Sequence, residues 1–181
     1  MPELSSLLRA QYVAELGFLE VALQRSGRED LQLVEHPADG ATPHLVVRFG
    51  HDEVDRPRDL HVMFIPLEAD DDGGAVASRY IELFVPLPLP VAPEQVVSLQ
   101  RAIAMVNEHL AIGRFGLSRD SKLYFRYVLA SPAAGLIDDE MFVELVAFVE
   151  FHQEHFTDYL EGVLDDEISL DVLHAVIDQT S

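Results

Sequence analysis

The chain has no cysteine among its 181 residues. This absence excludes disulfides, thiolate zinc sites and cysteine nucleophiles, and it fits a reducing environment such as the cytoplasm. No run of 18 apolar residues occurs either, so we expect no membrane-spanning helix. The first residues, Met1 to Ser5, lack the basic segment and apolar run of a secretory signal peptide. We therefore expect a cytoplasmic protein without a membrane partner.

Basic residues are also scarce. The chain has 12 Lys and Arg against 32 Asp and Glu, which gives a formal net charge of −20. From Tyr127 to Ser181 there are 13 acidic residues and no Lys or Arg. Such a charge favours cationic partners and disfavours direct binding to nucleic acid phosphates or anionic membranes. The expected partner is a basic protein, and nucleic-acid-binding proteins are one class of basic client.

Catalytic signatures are missing as well. The sequence has no Gly-x-Ser-x-Gly motif and no glycine-rich phosphate loop, so we expect no enzyme and no cofactor. His152 and His155 lie three residues apart on a predicted helix, a spacing at which two histidines can share a metal ion. The sequence identifies no third ligand, and a solvated acidic helix face explains the same residues. A metal-dependent hydrolase using His152 and His155 stays open as a minor alternative.

The residues that are present predict a folded chain, because 49% of them are hydrophobic. Apolar residues recur at three- and four-residue steps in the predicted helices and alternate in several of the predicted strands. Asp138 is predicted to cap the third helix, with Ile137 and Phe142 as a hydrophobic staple. The predicted elements are a helix at 3–25, strands at 31–35, 44–49, 60–65 and 79–85, a helix at 93–110, strands at 114–117 and 122–130, a helix from 138, and a short helix at 168–177.

This order predicts an α+β fold in which helices cover an antiparallel sheet. Written along the chain, the order is α-ββββ-α-ββ-α-α. The length suits one domain, so we expect residues 1–181 to form a single domain with 165–181 as a C-terminal tail helix.

One segment in the second half resembles a known family. An Asn near the end of the second helix precedes a Gly-x-Phe-x-Leu strand, and an aromatic-x-Arg strand follows. This pattern resembles the YbjN family, whose members share the fold of bacterial type III secretion chaperones. The resemblance covers about residues 92 to 160 and is only topological from 1 to 86. The matching positions are Asn107, Gly113, Phe115, Leu117, Tyr124 and Arg126.

The resemblance implies a small, acidic, usually dimeric protein that binds segments of another protein and catalyses nothing. Secretion chaperones hold an extended client chain along their sheets and hydrophobic patches, although nothing in the sequence reports a secretion system. Phe115 and Leu117 are expected in the core or a dimer interface. Asn107 is expected either to cap the second helix or to reach the hairpin through its amide. Arg126 is expected to pair with an acid across the sheet or on the third helix.

The leading hypothesis is a non-catalytic, acidic protein-binding module, chaperone-like or regulatory, that forms a homodimer. It would dock a basic or partly unfolded client through apolar groups on the sheet and carboxylates of the third helix. A DNA mimic is the alternative, in which these carboxylates imitate phosphates and occupy the groove of a DNA-binding protein. The candidate partner-facing carboxylates are Glu144, Glu150, Glu154, Asp158 and Glu161, and the DNA mimic would also use Glu140.

Overall fold

A computed structural model describes residues 6–36, 41–52, 55–66, 78–132 and 135–178. Residues 3 to 5 of the first predicted helix lie outside this described part. Within it the elements are α1 (Ser6–Arg25), β1 (Leu31–Val34), β2 (His44–His51), β3 (Pro57–Ile65), β4 (Ser78–Leu87), α2 (Val96–His109), β5 (Arg114–Leu117), β6 (Leu123–Pro132), α3 (Asp139–Leu164) and α4 (Leu170–Ile177).

The six strands form one antiparallel sheet with the strand order β1-β2-β3-β4-β6-β5. The predicted α+β class and the predicted order of elements are confirmed. Consecutive strands pair from β1 to β4, whereas α2 carries the chain to the far edge and β6 returns beside β4. β3 lies inside the sheet, as its apolar sequence predicted.

One face of the sheet is covered by helices. Side chains at alternate positions form rows on this face, for example Val47 opposite Leu60 and Phe115 opposite Phe125. All four are buried. The Tyr12 ring of α1 stacks on Phe64 at 4.5 Å between ring centroids. The strict alternation of the strands thus sets one apolar layer against the helices, as burial of one sheet face requires.

Side-chain caps mark the N-termini of the last two helices. The Asp138 carboxylate accepts a hydrogen bond from the Met141 N–H at 2.8 Å, which confirms the predicted cap of α3. Ser169 caps α4 in the same way through the Val172 N–H. Leu173 and Ile177 of α4 are buried in the same core as the sheet. The last helix therefore packs as part of the described core.

The buried face of α3 contains one polar residue without a polar partner. Gln153 is 0% exposed, and within the described residues neither its amide oxygen nor its amide nitrogen has a hydrogen-bond partner. Burying an unpaired amide costs free energy that an apolar side chain of similar size would not cost.

Replacing Gln153 with methionine should therefore stabilise the fold. The substitution keeps a similar volume and removes two unpaired polar atoms, so we expect the free energy of unfolding to rise by about 1 to 2 kcal/mol. Urea unfolding followed by circular dichroism measures the change.

Gln95→Met is the matched control. The Gln95 amide donates to the Leu164 carbonyl at 2.6 Å and accepts from the Ala92 N–H at 2.9 Å. Losing these bonds should lower the free energy of unfolding by about 1 to 2 kcal/mol. Destabilisation of similar size by both substitutions would contradict this account of Gln153.

Candidate functional site

Asn107 joins α2 to the edge strand β5. Its side-chain Nδ2 donates to the Phe115 carbonyl at 3.0 Å, and its Oδ1 accepts from the Phe115 N–H at 2.8 Å. The Asn107 amide therefore occupies the place where another strand would pair, and it closes this point of the sheet edge. The sequence left two roles open for Asn107, a cap of the second helix or a contact with the hairpin. The structure shows the contact with the hairpin.

Two glycines let aromatic rings lie against the hairpin backbone. Gly113 has φ of +71°, and a Cβ there would lie 2.3 Å from Cζ of Phe125. A Cβ on Gly116 would lie 2.6 Å from Oη of Tyr124. Phe115 is buried and packs edge-to-face on Phe125 at 5.2 Å. Close packing therefore explains both glycines and the phenylalanine of this pattern. Leu117 is half-buried beside the same core.

Replacing Asn107 with alanine should open the β5 edge. Two hydrogen bonds to one residue are lost, so we expect the free energy of unfolding to fall by about 1 to 3 kcal/mol. Amide exchange at Phe115 should accelerate more than exchange in β3, which hydrogen-exchange mass spectrometry or NMR measures. The control is Glu108→Ala, one residue along α2 at an exposed position. An unchanged Phe115 exchange rate in the Asn107 variant would contradict the edge-closing role.

The second face of the sheet is not covered by helices. Most of its side chains are half-exposed or exposed, and Val46 of β2 is the buried exception at 6%. The ring contacts found on this face join neighbouring strands, such as Phe84 to Tyr124 at 5.4 Å. Arg126 forms an ion pair with Glu82 of the adjacent strand. This pairing is the across-the-sheet alternative that the sequence predicted for Arg126. We call this surface the open sheet face, and its apolar and aromatic residues are Met63, Ile65, Tyr80, Phe84, Tyr124 and Val128.

Charge on the open sheet face is close to balanced. The register places three arginines and two carboxylates on its strands. At the strand ends, Asp30 just before β1 pairs with Arg48, and Lys122 just before β6 continues the alternation of this face. His44 and His61 lie side by side with ring centroids 5.5 Å apart. Burial lowers the pKa of His61, the neighbouring His44 lowers it further, and Asp59 opposes the shift. The charged residues are Asp30, Arg48, Asp59, Glu82, Arg114, Lys122 and Arg126.

Helix α3 is held by arginines from the first half of the chain. Arg28 pairs with Glu150, and Arg56 bonds both carboxylate oxygens of Glu161 at 2.6 and 2.9 Å. A third arginine, Arg58, lies 3.7 Å from Asp158, whose side chain is 75% exposed. Of the five carboxylates proposed to face a partner, three therefore lie beside an arginine of their own chain.

Glu144 and Glu154 are exposed and form no ion pair within the described residues. They flank two exposed aromatic side chains, Phe148 at 52% and Phe151 at 59% exposure. Glu144, Ala147 and the two phenylalanines border a shallow depression of about 600 Å³ on the outer side of α3, and Glu154 lies beyond it along the helix. We call this surface the α3 aromatic–acidic face. Sequence reasoning missed the two phenylalanines, although both fall outside the apolar stripe that predicted the buried side of the helix.

The two histidines of α3 pack among aromatic rings. His152 is buried, and its Nδ1 lies 2.7 Å from the Phe148 carbonyl, an arrangement in which Nδ1 donates. His155 stacks on Phe151 and meets Phe156 edge-on at 4.8 Å. Within the part of the chain that the structure describes, no group of three or more His, Asp or Glu side chains has a geometry that could hold a metal ion.

Comparisons with known proteins add no assignment. No family model matches the chain, and no curated protein has a detectably similar sequence. Among the helices of the described residues, none is long and apolar enough to cross a membrane. The two candidate surfaces therefore rest on their own geometry and charge.

Proposed function

We propose that the chain is a non-catalytic, acidic protein-binding module, chaperone-like or regulatory, that docks a basic or partly unfolded client on the α3 aromatic–acidic face. The observation that carries this proposal is the exposure of Phe148 and Phe151 on a helix that has no Lys or Arg. Exposed apolar side chains that are adjacent and rimmed by charge are typical of a protein-interaction site.

The aromatic rings supply affinity in this proposal. A phenylalanine side chain that is half-exposed can bury about 100 Å² on binding, which is worth about 2 kcal/mol for each ring. Two such rings are a useful anchor for a flexible apolar segment. They also impose no fixed sequence on the client, because burial of apolar area is not directional.

The carboxylates supply selectivity. Glu144 and Glu154 have no arginine of their own, so their charge is available to a cationic client. The field of a −20 protein raises the encounter rate with basic chains and makes docking sensitive to salt. Glu150, Asp158 and Glu161 lie beside arginines, which leaves few free carboxylates for an array that imitates duplex phosphates. Protein docking is accordingly favoured over DNA mimicry.

A pair of unfolded model clients tests the proposal. Reduced lysozyme is basic, reduced α-lactalbumin is acidic, and both aggregate on reduction, which light scattering follows. We expect the chain to suppress aggregation of lysozyme and to leave α-lactalbumin unaffected. The double substitution Phe148→Ser and Phe151→Ser should weaken the protection at least about 10-fold in the concentration needed.

The matched control is Val172→Ser, which removes an exposed apolar side chain of 51% exposure from α4. It should protect lysozyme as well as the unchanged chain does. Protection that survives the double substitution, or equal protection of both clients, would refute docking on the α3 aromatic–acidic face. Protection that does not weaken with added salt would refute the role assigned to the carboxylates.

A further inference from the structure

We infer that the open sheet face binds a second copy of this chain, so that two sheets pack face to face in a symmetric homodimer. This inference concerns a different surface from the α3 aromatic–acidic face and does not depend on client binding. Its starting point is a set of half-exposed apolar residues across three strands, with Met63 and Val128 on either side of Glu82, which pairs with Arg126.

Charge identifies the second copy as the occupant. A symmetric interface brings each surface against itself, so a surface with net charge repels its own copy. The α3 aromatic–acidic face carries Glu144 and Glu154 without a neutralising arginine. Self-association there would place the carboxylates of one copy against those of the other. The open sheet face has three arginines, one lysine and three carboxylates, although the chain as a whole has a charge of −20. Of the two apolar surfaces, only this one is close to neutral and can meet itself without strong repulsion.

The charged pairs on the face also suit self-recognition. Glu82 and Arg126 lie side by side near the middle of the sheet. A two-fold axis there brings the Arg126 of one copy towards the Glu82 of the other, so opposite charges alternate across the interface. Charge complementarity of this kind favours one register over others and adds specificity more than affinity.

The area is sufficient for a dimer. Strands about 4.8 Å apart, with a rise of about 3.3 Å per residue, give this six-stranded sheet a projected face of about 700 Å². A stable interface buries about 800 Å² of accessible surface on each partner. The accessible area of the face exceeds its projected area because side chains project from the sheet, so the face is large enough. Two sheets packed in this way would lie about 10 Å apart, as in a sandwich.

The arrangement would leave the helices outside. Tyr12 of α1 and Phe156 of α3 both contact rings on the covered sheet face, which places these helices on the side away from the open sheet face. A dimer through the open sheet face therefore keeps both α3 aromatic–acidic faces accessible. One dimer would present two client sites, one on each outer side.

Light scattering coupled to size exclusion tests the inference at pH 7.5. We expect twice the 20.2 kDa of one chain. Dimerisation should strengthen between about 10 mM and about 1 M salt, because the Debye length falls from about 30 Å to about 3 Å and screens repulsion between the acidic surfaces. Client docking should weaken over the same range, so the failure of one proposal leaves the other testable. A mass of one chain at every salt and protein concentration would overturn the inference.

Two substitutions locate the interface. Met63→Lys and Val128→Lys each place a lysine beside Glu82. In the isolated chain this lysine can pair with Glu82, whereas burying its charge inside a packed interface costs free energy. Each should raise the dimer dissociation constant at least about 100-fold while circular dichroism and thermal unfolding show a folded chain. Phe151→Ser is the control and should leave the mass unchanged. A dimer unaffected by both lysines, or abolished by Phe151→Ser, would overturn the assignment to the open sheet face.

Discussion

The attraction between arginines of the first half of the chain and the carboxylates of α3 fixes how this molecule is assembled. The last 55 residues contain no Lys or Arg, so every permanently charged cation that can neutralise α3 must come from elsewhere in the sequence. Arg28 reaches Glu150 from the segment between α1 and β1, and Arg56 reaches Glu161 from the β2–β3 connection. Apolar burial supplies most of the stability of α3, because partly exposed ion pairs contribute little each. The ion pairs instead select one rotation of the helix about its axis.

That rotation determines which residues face solvent. Glu150 and Glu161 are about three helical turns apart and therefore lie on one edge of α3. With that edge held against the arginines, Val149 and Phe156 point into the core, and Phe151 points outwards. A rotation of about 100°, one residue position, would bury Phe151 and expose core residues. The exposed phenylalanines are thus a consequence of the same contacts that hold the helix, and the α3 aromatic–acidic face has a fixed geometry.

Sequence patterns predicted the elements because they depend on neighbouring residues. The cap at Asp138, the position of β3 within the sheet and the order of strands and helices were all predictable from spacing alone. The state of individual carboxylates was not, since Glu150 and Glu161 pair with residues more than 100 positions away. The role of Asn107 was predicted only as one of two alternatives, because choosing between them requires the position of β5 relative to α2. Apolar residues on both sides of β3 likewise did not show which face the helices would cover.

Charge and apolar area act together on the two surfaces of this chain. Apolar side chains alone would allow any exposed patch to associate with any other, including copies of itself. The free carboxylates around Phe148 and Phe151 oppose self-association there and leave that surface to a cationic partner. The balanced pairs on the open sheet face, among them Glu82 with Arg126, remove this opposition on the other side of the sheet. In the two proposals, the uneven distribution of 12 Lys and Arg among 32 Asp and Glu thereby assigns different partners to the two apolar surfaces.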